Sequence, residues 1–399
     1  MKVLVSIFEE LVPLSGGGTP RIFNVIRAFV RKGHQVYVAA AISKSKEDAI
    51  KDVGCVDFLP LLKVSRLDAK KMTKYLYAHP QNIFRVIRYS RRIKPEVIVS
   101  HNSIAGFSAL LAKRFAENTV TVLDLTDLLF QYLEDYDGSG PLMRLIQIGG
   151  PSLEKKTILN SDKIITISHS MRNIVKDYGV NEKRVEVVSD GVDTDIFKPV
   201  EARDLRGKHG RNAEAIIIFQ GVIDPQDKPD LILDASEIVL KKHPQTLFWI
   251  IGDGTAVPGL KEKISRKGLA NKFYFSGWVS QRELARYICA SDIGLVILPD
   301  TLSARGRVTL KEFEYWACGI PVVVPRLPAL EEVVKEGETG LFYEPNSFQG
   351  LAERIIELVE NKSERERMGK KGREVVKERF EWGKLADEFV KRCEDFKRN

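Results

Sequence analysis

The sequence predicts an α/β protein made of two Rossmann-like, doubly wound domains, and three observations carry that expectation. At 399 residues the chain is long for one core, since domains run to roughly 100–200 residues. Short β-branched runs alternate with helix-like segments from the first residue to about 375, the pattern of parallel strands joined by crossover helices. The runs are continuously apolar, so both faces of each sheet are covered.

In the first half, strands are expected at 2–8 (KVLVSIF), 35–41 (QVYVAAA), 97–100 (VIVS), 120–126 (VTVLDLT), 163–168 (KIITIS) and 185–190 (VEVVSD). In the second they are expected at 215–221 (AIIIFQG), 246–253 (TLFWIIGD), 273–278 (FYFSGW), 293–300 (IGLVILPD) and 320–325 (IPVVVP). Pro199, turn-prone residues and many charges mark a boundary near 196–212. The expected domains are therefore 1–197 and 198–382, with a last helix, 383–399, returning to the first. Two such domains facing each other leave a cleft at the carboxyl ends of their strands, where ligands bind in sheets of this kind.

Composition narrows the class. The chain is 44% hydrophobic and 29% charged without low-complexity tracts, which excludes disordered and fibrous proteins. No apolar stretch approaches ~18 residues, so none spans a membrane, and the opening run is cut off by Glu9 and Glu10 rather than by a cleavage site. Four scattered cysteines, with no CxxC pair, indicate neither zinc nor a disulfide framework; reduced thiols and a cytoplasmic setting are expected. The net charge of +8 is concentrated: residues 63–94 hold ten Lys or Arg and one acid. With Tyr75, Leu76, Tyr77, Ile83, Phe84 and Ile87 interleaved, this segment suits docking on an anionic membrane surface. A solvated basic face is the plain alternative, and nucleic acid is a distant one.

A nicotinamide dinucleotide site fails on spacing. Gly16 and Gly18 fit the first two glycines of GxGxxG, but Arg21 stands in place of the third, and the strand at 35–41 ends without an acid for a ribose. The turn GDGTAVPG misses the spacing as well, at Val257. Gly16, Gly17 and Gly18, leading into Thr19 and Pro20 at a helix start, can still hold an anion on free amides. Equally, they can form a tight turn that binds nothing.

The stretch VTLKEFEYWACGIPVVVP (308–325) resembles the Lys-x-x-Glu-Tyr signature of retaining GT-B glycosyltransferases of the GT4 family. Other pieces follow in that family's order: DKIITISHSMRNIVKDYGV, RVEVVSDGVDTDIFKP, WIIGDG, FSGWVSQRELARYICASDIGLVILP and EEVVKEGETGLFYEP. The likeness spans residues 2–385. It implies a GT-B enzyme moving a hexose from a nucleoside diphosphate sugar, a co-substrate rather than a cofactor, to a glycan or lipid-linked acceptor hydroxyl; the basic segment by itself suggests peripheral work on the inner face of the membrane.

The resemblance also implies site residues. Glu314 would hold the donor ribose, on a helix expected from about 308 to 318 with Leu310, Phe313 and Ala317 toward the core and Lys311, Glu314 and Tyr315 on an adjacent stripe. Out of this setting, such a glutamate is a solvated helix residue. His101, just past a strand end, would touch the reacting sugar, a structural histidine being the alternative. Asp127 resembles the acid of an acceptor-side segment, or serves as a loop cap. Two positions depart from the family pattern: Gly306 replaces a glutamate, and Val222, after Gly221, replaces an arginine, with Lys228 one residue late. Arg305 and Arg307 flank Gly306 and are expected to join Lys228 in neutralising the diphosphate; solvated loop arginines are the alternative. The Asp-x-Asp at 193–195 is read as turn chemistry, and no metal is required. Two rival functions are an epimerase or hydrolase of nucleotide sugars and a binding protein without turnover.

Overall fold

A computed structural model describes residues 1–12, 18–63, 72–116, 118–130, 141–210 and 212–398. The chain divides into two units, Met1–Ser189 with Trp382–Asn399, and Asp190–Glu381.

The first unit holds strands β1 (Lys2–Val12), β2 (Gln35–Ile42), β3 (Asp57–Leu61), β4 (Val97–His101), β5 (Val120–Leu125), β6 (Lys163–Thr166) and β7 (Val185–Val187). They form one sheet in the order β3-β2-β1-β4-β5-β6-β7; every pairing is parallel. The chain order reverses beside β1, the switch point at which doubly wound sheets gather ligands beyond their carboxyl ends. Apolar strand residues such as Val3, Val5, Val97 and Val99 are wholly buried, because helices cover both faces. β3 was not expected from the sequence: DFLPL carries a proline and only two buried residues, and Pro60 is admissible because β3 lies at the sheet edge.

The second unit holds β8 (Ile216–Val222), β9 (Leu247–Asp253), β10 (Phe273–Gly277), β11 (Ile293–Leu295), β12 (Val322–Pro325) and β13 (Gly340–Tyr343). Their order is β10-β9-β8-β11-β12-β13, again all parallel. Its core joins Phe219, Phe248, Ile250, Leu295 and Val323 to helix residues such as Leu351 and Ile355. β13, GLFY, was also unexpected; four residues are too few to display a period. β11 is shorter than the run 293–300 that suggested it, since the chain leaves the ladder after Leu295.

The units part at Ser189/Asp190, ahead of the polar stretch 196–212. Hydrogen bonding explains the earlier position: the Val192 amide donates to Phe380 O and Val192 forms a parallel bridge with Glu381, tying this crossing segment into the second unit. The last helix, Trp382–Arg398, belongs to the first unit and packs on helix Thr19–Arg31. Arg31 pairs there with Asp387 at 2.6 Å. Among the described residues, no helix is long and apolar enough to cross a membrane.

Candidate functional site

In the first unit, the parallel register sets His101 beside Asp124 on neighbouring strands, so both side chains leave the same face. His101 Nδ1 lies 2.9 Å from Asp124 Oδ2. From helix Thr19–Arg31, Arg21 donates through Nε to Asp124 Oδ1 at 2.9 Å and through a terminal nitrogen to Ser189 O at 2.9 Å. All three side chains are buried, with Arg21 at 1% and Asp124 at 0% exposure. Burial alone would raise the Asp124 carboxyl, but Arg21 and His101 outweigh it and hold the group below its usual range. Burial likewise opposes a charged His101, and its bond to Asp124 overcomes that and raises the imidazole.

With Nδ1 occupied by the carboxylate, His101 Nε2 remains buried and has no hydrogen-bond partner among the described residues. That nitrogen faces Gly18, where a Cβ would stand 2.3 Å from it. Gly18 has an ordinary right-handed backbone, φ −80°, so glycine is needed for closeness and not for conformation. Gly16 and Gly17 lie outside the described residues.

Asp127 follows β5 in a turn organised by Asn102, which adopts a left-handed φ of 59° directly after His101. Asn102 Oδ1 accepts from the Thr126 amide at 3.0 Å and the Asp127 amide at 3.2 Å. Glu154 supports the same turn: Oε1 accepts from Ser103 Oγ at 2.5 Å and from the Leu129 amide at 3.0 Å. Its burial pushes the carboxyl up to about 7, partly offset by these donors.

In the second unit, the helix bearing Glu314 is Leu310–Ala317, started by a Thr309–Glu312 capping box and ended by Gly319 at φ 85°. It is not the two-striped helix expected from the sequence. Residues 312–318 are all buried, because helix Lys362–Arg379 closes on it through Gly372, whose Cβ would meet Trp316 at 2.3 Å. Tyr315 is in the core, its hydroxyl 3.3 Å from Leu295 O. Glu314, 7% exposed, receives a hydrogen bond from Gln220 Nε2 to Oε2 at 2.6 Å. Burial pushes its carboxyl up to about 8, against the opposing pull of Lys311 and Gln220.

Lys311 reaches over the end of β8, with Nζ 5.7 Å from the Phe219 ring centroid. Gly221 makes room for it: the backbone there has φ 115° and a Cβ would stand 3.3 Å from Lys311 Cε. Lys228, in a left-handed turn at φ 47°, is exposed and contacts Asn346 Oδ1 at 3.3 Å. Arg307 lies 3.5 Å from Asp227, which places it beside the Lys228 turn. Arg305 is exposed and paired two-pronged with Asp300, at 2.6 and 3.0 Å. Gly306 between them has φ −92°, a backbone open to any residue. Asp193 Oδ1 accepts from the Asp195 and Ile196 amides at 2.9 and 3.2 Å, a local Asx turn.

The structure therefore gathers Glu314, Lys311 and Gly221 in one place and sets Arg307 beside the Lys228 turn in the same unit; His101, Gly18 and Asp127 belong to the first unit. Sequence reasoning missed Asp124, Arg21, Asn102 and Gln220. Asp124 and Gln220 carried a signal, each a polar side chain within an apolar strand run. Arg21 served only to dismiss a dinucleotide fingerprint.

Residues 201–375 match the family described as glycosyl transferases group 1, and residues 15–196 match glycosyltransferase family 4. The chain is 29% identical over 262 residues to a D-inositol 3-phosphate glycosyltransferase of Rhodococcus jostii, covering 63% of this chain and 55% of that protein. The enzyme of the same name from Kribbella flavida is 27% identical over 288 residues, covering 69% and 65%. The chain thus spans less than two thirds of the length of these relatives. Among solved structures, sucrose-phosphate synthase from Thermosynechococcus elongatus superposes with a TM-score of 0.80 at 17% identity, covering 99% and 98% of the two chains. Anabaena HepE, solved with UDP and glucose, gives 0.77 at 17% identity over 99% of both. At such identity the likeness speaks for the fold.

Proposed function

We propose that this chain, which belongs to the GT4-type glycosyltransferases of GT-B fold, moves a hexose from a nucleoside diphosphate sugar to an acceptor hydroxyl with retention at the anomeric carbon. The observation that carries the reading is the buried Glu314 carboxyl, held from one side by Gln220 at 2.6 Å and served by Lys311 on the same helix. A carboxylate there can accept from two vicinal hydroxyls, and its ionised form gains charge-assisted bonds when a ribose arrives. HepE was solved with UDP-glucose, which supports a nucleotide-sugar donor for this chain as well.

In this reading the second unit takes the donor. Glu314 holds the ribose, while Lys311, Lys228 and Arg307 supply positive charge to the diphosphate, and Gly221 admits it close to the backbone. Arg305 contributes only by exchanging Asp300 for a phosphate. Charge builds on the departing diphosphate, so these cations act where transition-state stabilisation is largest. The scheme uses no resident metal or cofactor. The first unit serves the acceptor side: His101 presents Nε2 to the sugar, Asp124 fixes the opposite nitrogen, and Gly18 and Asp127 frame the acceptor.

The acceptor is a glycan or a lipid-linked sugar brought to a membrane surface. Helix Met72–Ile93 supports this, since Tyr77 and Phe84 are each 65% exposed alongside exposed Arg85, Arg88 and Arg91. Ile83 and Ile87 instead pack on the core, which leaves a narrower apolar strip than the sequence suggested.

The test is a panel of nucleoside diphosphate sugars screened by thermal shift, followed by product analysis with and without acceptor. Transfer with a retained anomeric configuration supports the proposal. Donor consumption without acceptor identifies a hydrolase or epimerase, and binding without turnover identifies a protein that has lost its chemistry.

A further inference from the structure

The second unit contains two thiols brought together from distant positions. Cys289 is the last residue of helix Gln281–Cys289, and Cys318 follows helix Leu310–Ala317. Cys318 Sγ lies 3.8 Å from Ala285 O, the carbonyl one turn before Cys289 on the same helix, so its sulfur sits on the face from which the Cys289 side chain projects. Each thiol alters the other's acidity directly. Around Cys289, the Val200 amide donates to Sγ at 3.4 Å, and Sγ lies 3.3 Å from Lys198 O.

We propose that Cys289 and Cys318 form a thiol–disulfide redox site, closed by a hydroperoxide. Cys289, half-buried where Cys318 is buried, is the sulfur that meets the oxidant. Its thiolate attacks one peroxide oxygen, the O–O bond breaks, and a sulfenic acid and one hydroxide or alkoxide result, the latter leaving protonated. The Cys318 sulfur then attacks the sulfenyl sulfur, expelling the second oxygen as water and forming the S–S bond. Two thiols lose two electrons in total, and the hydroperoxide gains them.

The environment divides these roles. The interaction with Cys318, helped by the Val200 amide and Arg373 against burial, holds the Cys289 thiol down to about 7, which makes it the readier nucleophile. Cys318 is held well above the ordinary thiol range and acts second. Cys55 and Cys393 are buried in the first unit and serve as internal controls. The closed bridge would join helix Gln281–Cys289 to the helix carrying Glu314, whose carbonyl accepts from the Cys318 amide at 3.1 Å.

The experiment treats the full-length protein with hydrogen peroxide, alkylates the remaining thiols, and maps peptides by mass spectrometry without reduction. The expected result is a Cys289–Cys318 linked peptide that disappears on adding dithiothreitol, with Cys55 and Cys393 alkylated throughout. In Cys318→Ala, dimedone should trap a Cys289 sulfenic acid that the wild type does not accumulate. Sulfinic acid at Cys289 in the wild type without a linked peptide, or a bridge between two copies through Cys289, would overturn the proposal. Neither readout depends on glycosyl transfer.

Discussion

Asp124 in the first unit and Glu314 in the second are both buried carboxyls at the carboxyl end of a parallel sheet, yet their surroundings drive them in opposite directions. Asp124 is met by a guanidinium and an imidazole and stays ionised below its usual range. Among the described residues Glu314 has one amide donor, Gln220, and a lysine nearby, and burial raises it to about 8. The first is a finished ion cluster whose strength goes into aiming His101. The second is an incomplete one, and the missing donors are what a ligand with two hydroxyls would bring. Burial thus marks a site only together with a count of partners.

The largest expected effect tests the finished cluster. Asp124→Leu leaves Arg21 buried without its carboxylate and should cost about 3–5 kcal/mol of stability in the first unit, read from urea unfolding at pH 7. A near-neutral change would mean that Arg21 reaches water and the cluster is less closed than its burial indicates. Its pH dependence follows from two opposite shifts. The Asp124 contribution is present above the unfolded value of ~3.9 and disappears as pH falls through the lower folded value; the His101 contribution is present below ~6.5 and disappears as pH rises through the higher folded value.

Next in size is the incomplete cluster. Glu314→Gln should keep the fold and weaken nucleoside diphosphate binding by about 1.5–3 kcal/mol, the worth of charge-assisted bonds; calorimetry showing unchanged affinity removes Glu314 from the donor site. Because the carboxyl is raised, the folded state holds a proton that the unfolded state releases from ~4.3 upward, so its contribution to stability falls as pH rises from ~4.3 to about 8. Donor affinity should run the other way, increasing from pH 7 to 9 as the ribose meets the ionised form. Both dependences should flatten in Glu314→Gln, apart from the share that Glu312, raised by burial to about 7, adds to the stability curve.

His101→Ala comes third. It should lower kcat on the order of tenfold to a hundredfold while donor affinity holds, since the Nε2 interaction is assigned to the reacting sugar. Wild-type turnover would make the aimed histidine structural. The smallest effects concern surface charge. Removing Lys228 or Arg307 should weaken diphosphate binding without changing nucleoside binding, with Arg305→Gln the weakest of the three because Asp300 already engages that residue. Pelleting with anionic vesicles should fall in Tyr77→Ser/Phe84→Ser and with added salt; pelleting indifferent to both would reduce residues 63–94 to a solvated basic surface.

The fold was legible because continuous apolar runs and crossover spacing are local and repeat many times, so the two parallel sheets follow from patterns such as VLVSI and IIIFQ. Short edge strands such as DFLPL and GLFY escaped, since their pairing is decided by the neighbour and not by their own few residues. Lys311 and Glu314 stand in one stretch of the sequence and Gly221 in another, so both stretches could be picked out, but not that they meet. Other matters were decided only by tertiary structure: that Arg21 crosses from a helix to Asp124 across 103 positions, that Gly18 exists to admit an imidazole, that Arg305 is claimed by Asp300, and that Cys289 meets Cys318. The physical reason is that a hydrophobic period is carried by consecutive residues, whereas the charge state of a buried group depends on which distant donors the packing brings within about 3 Å, and no stretch of the sequence contains that distance.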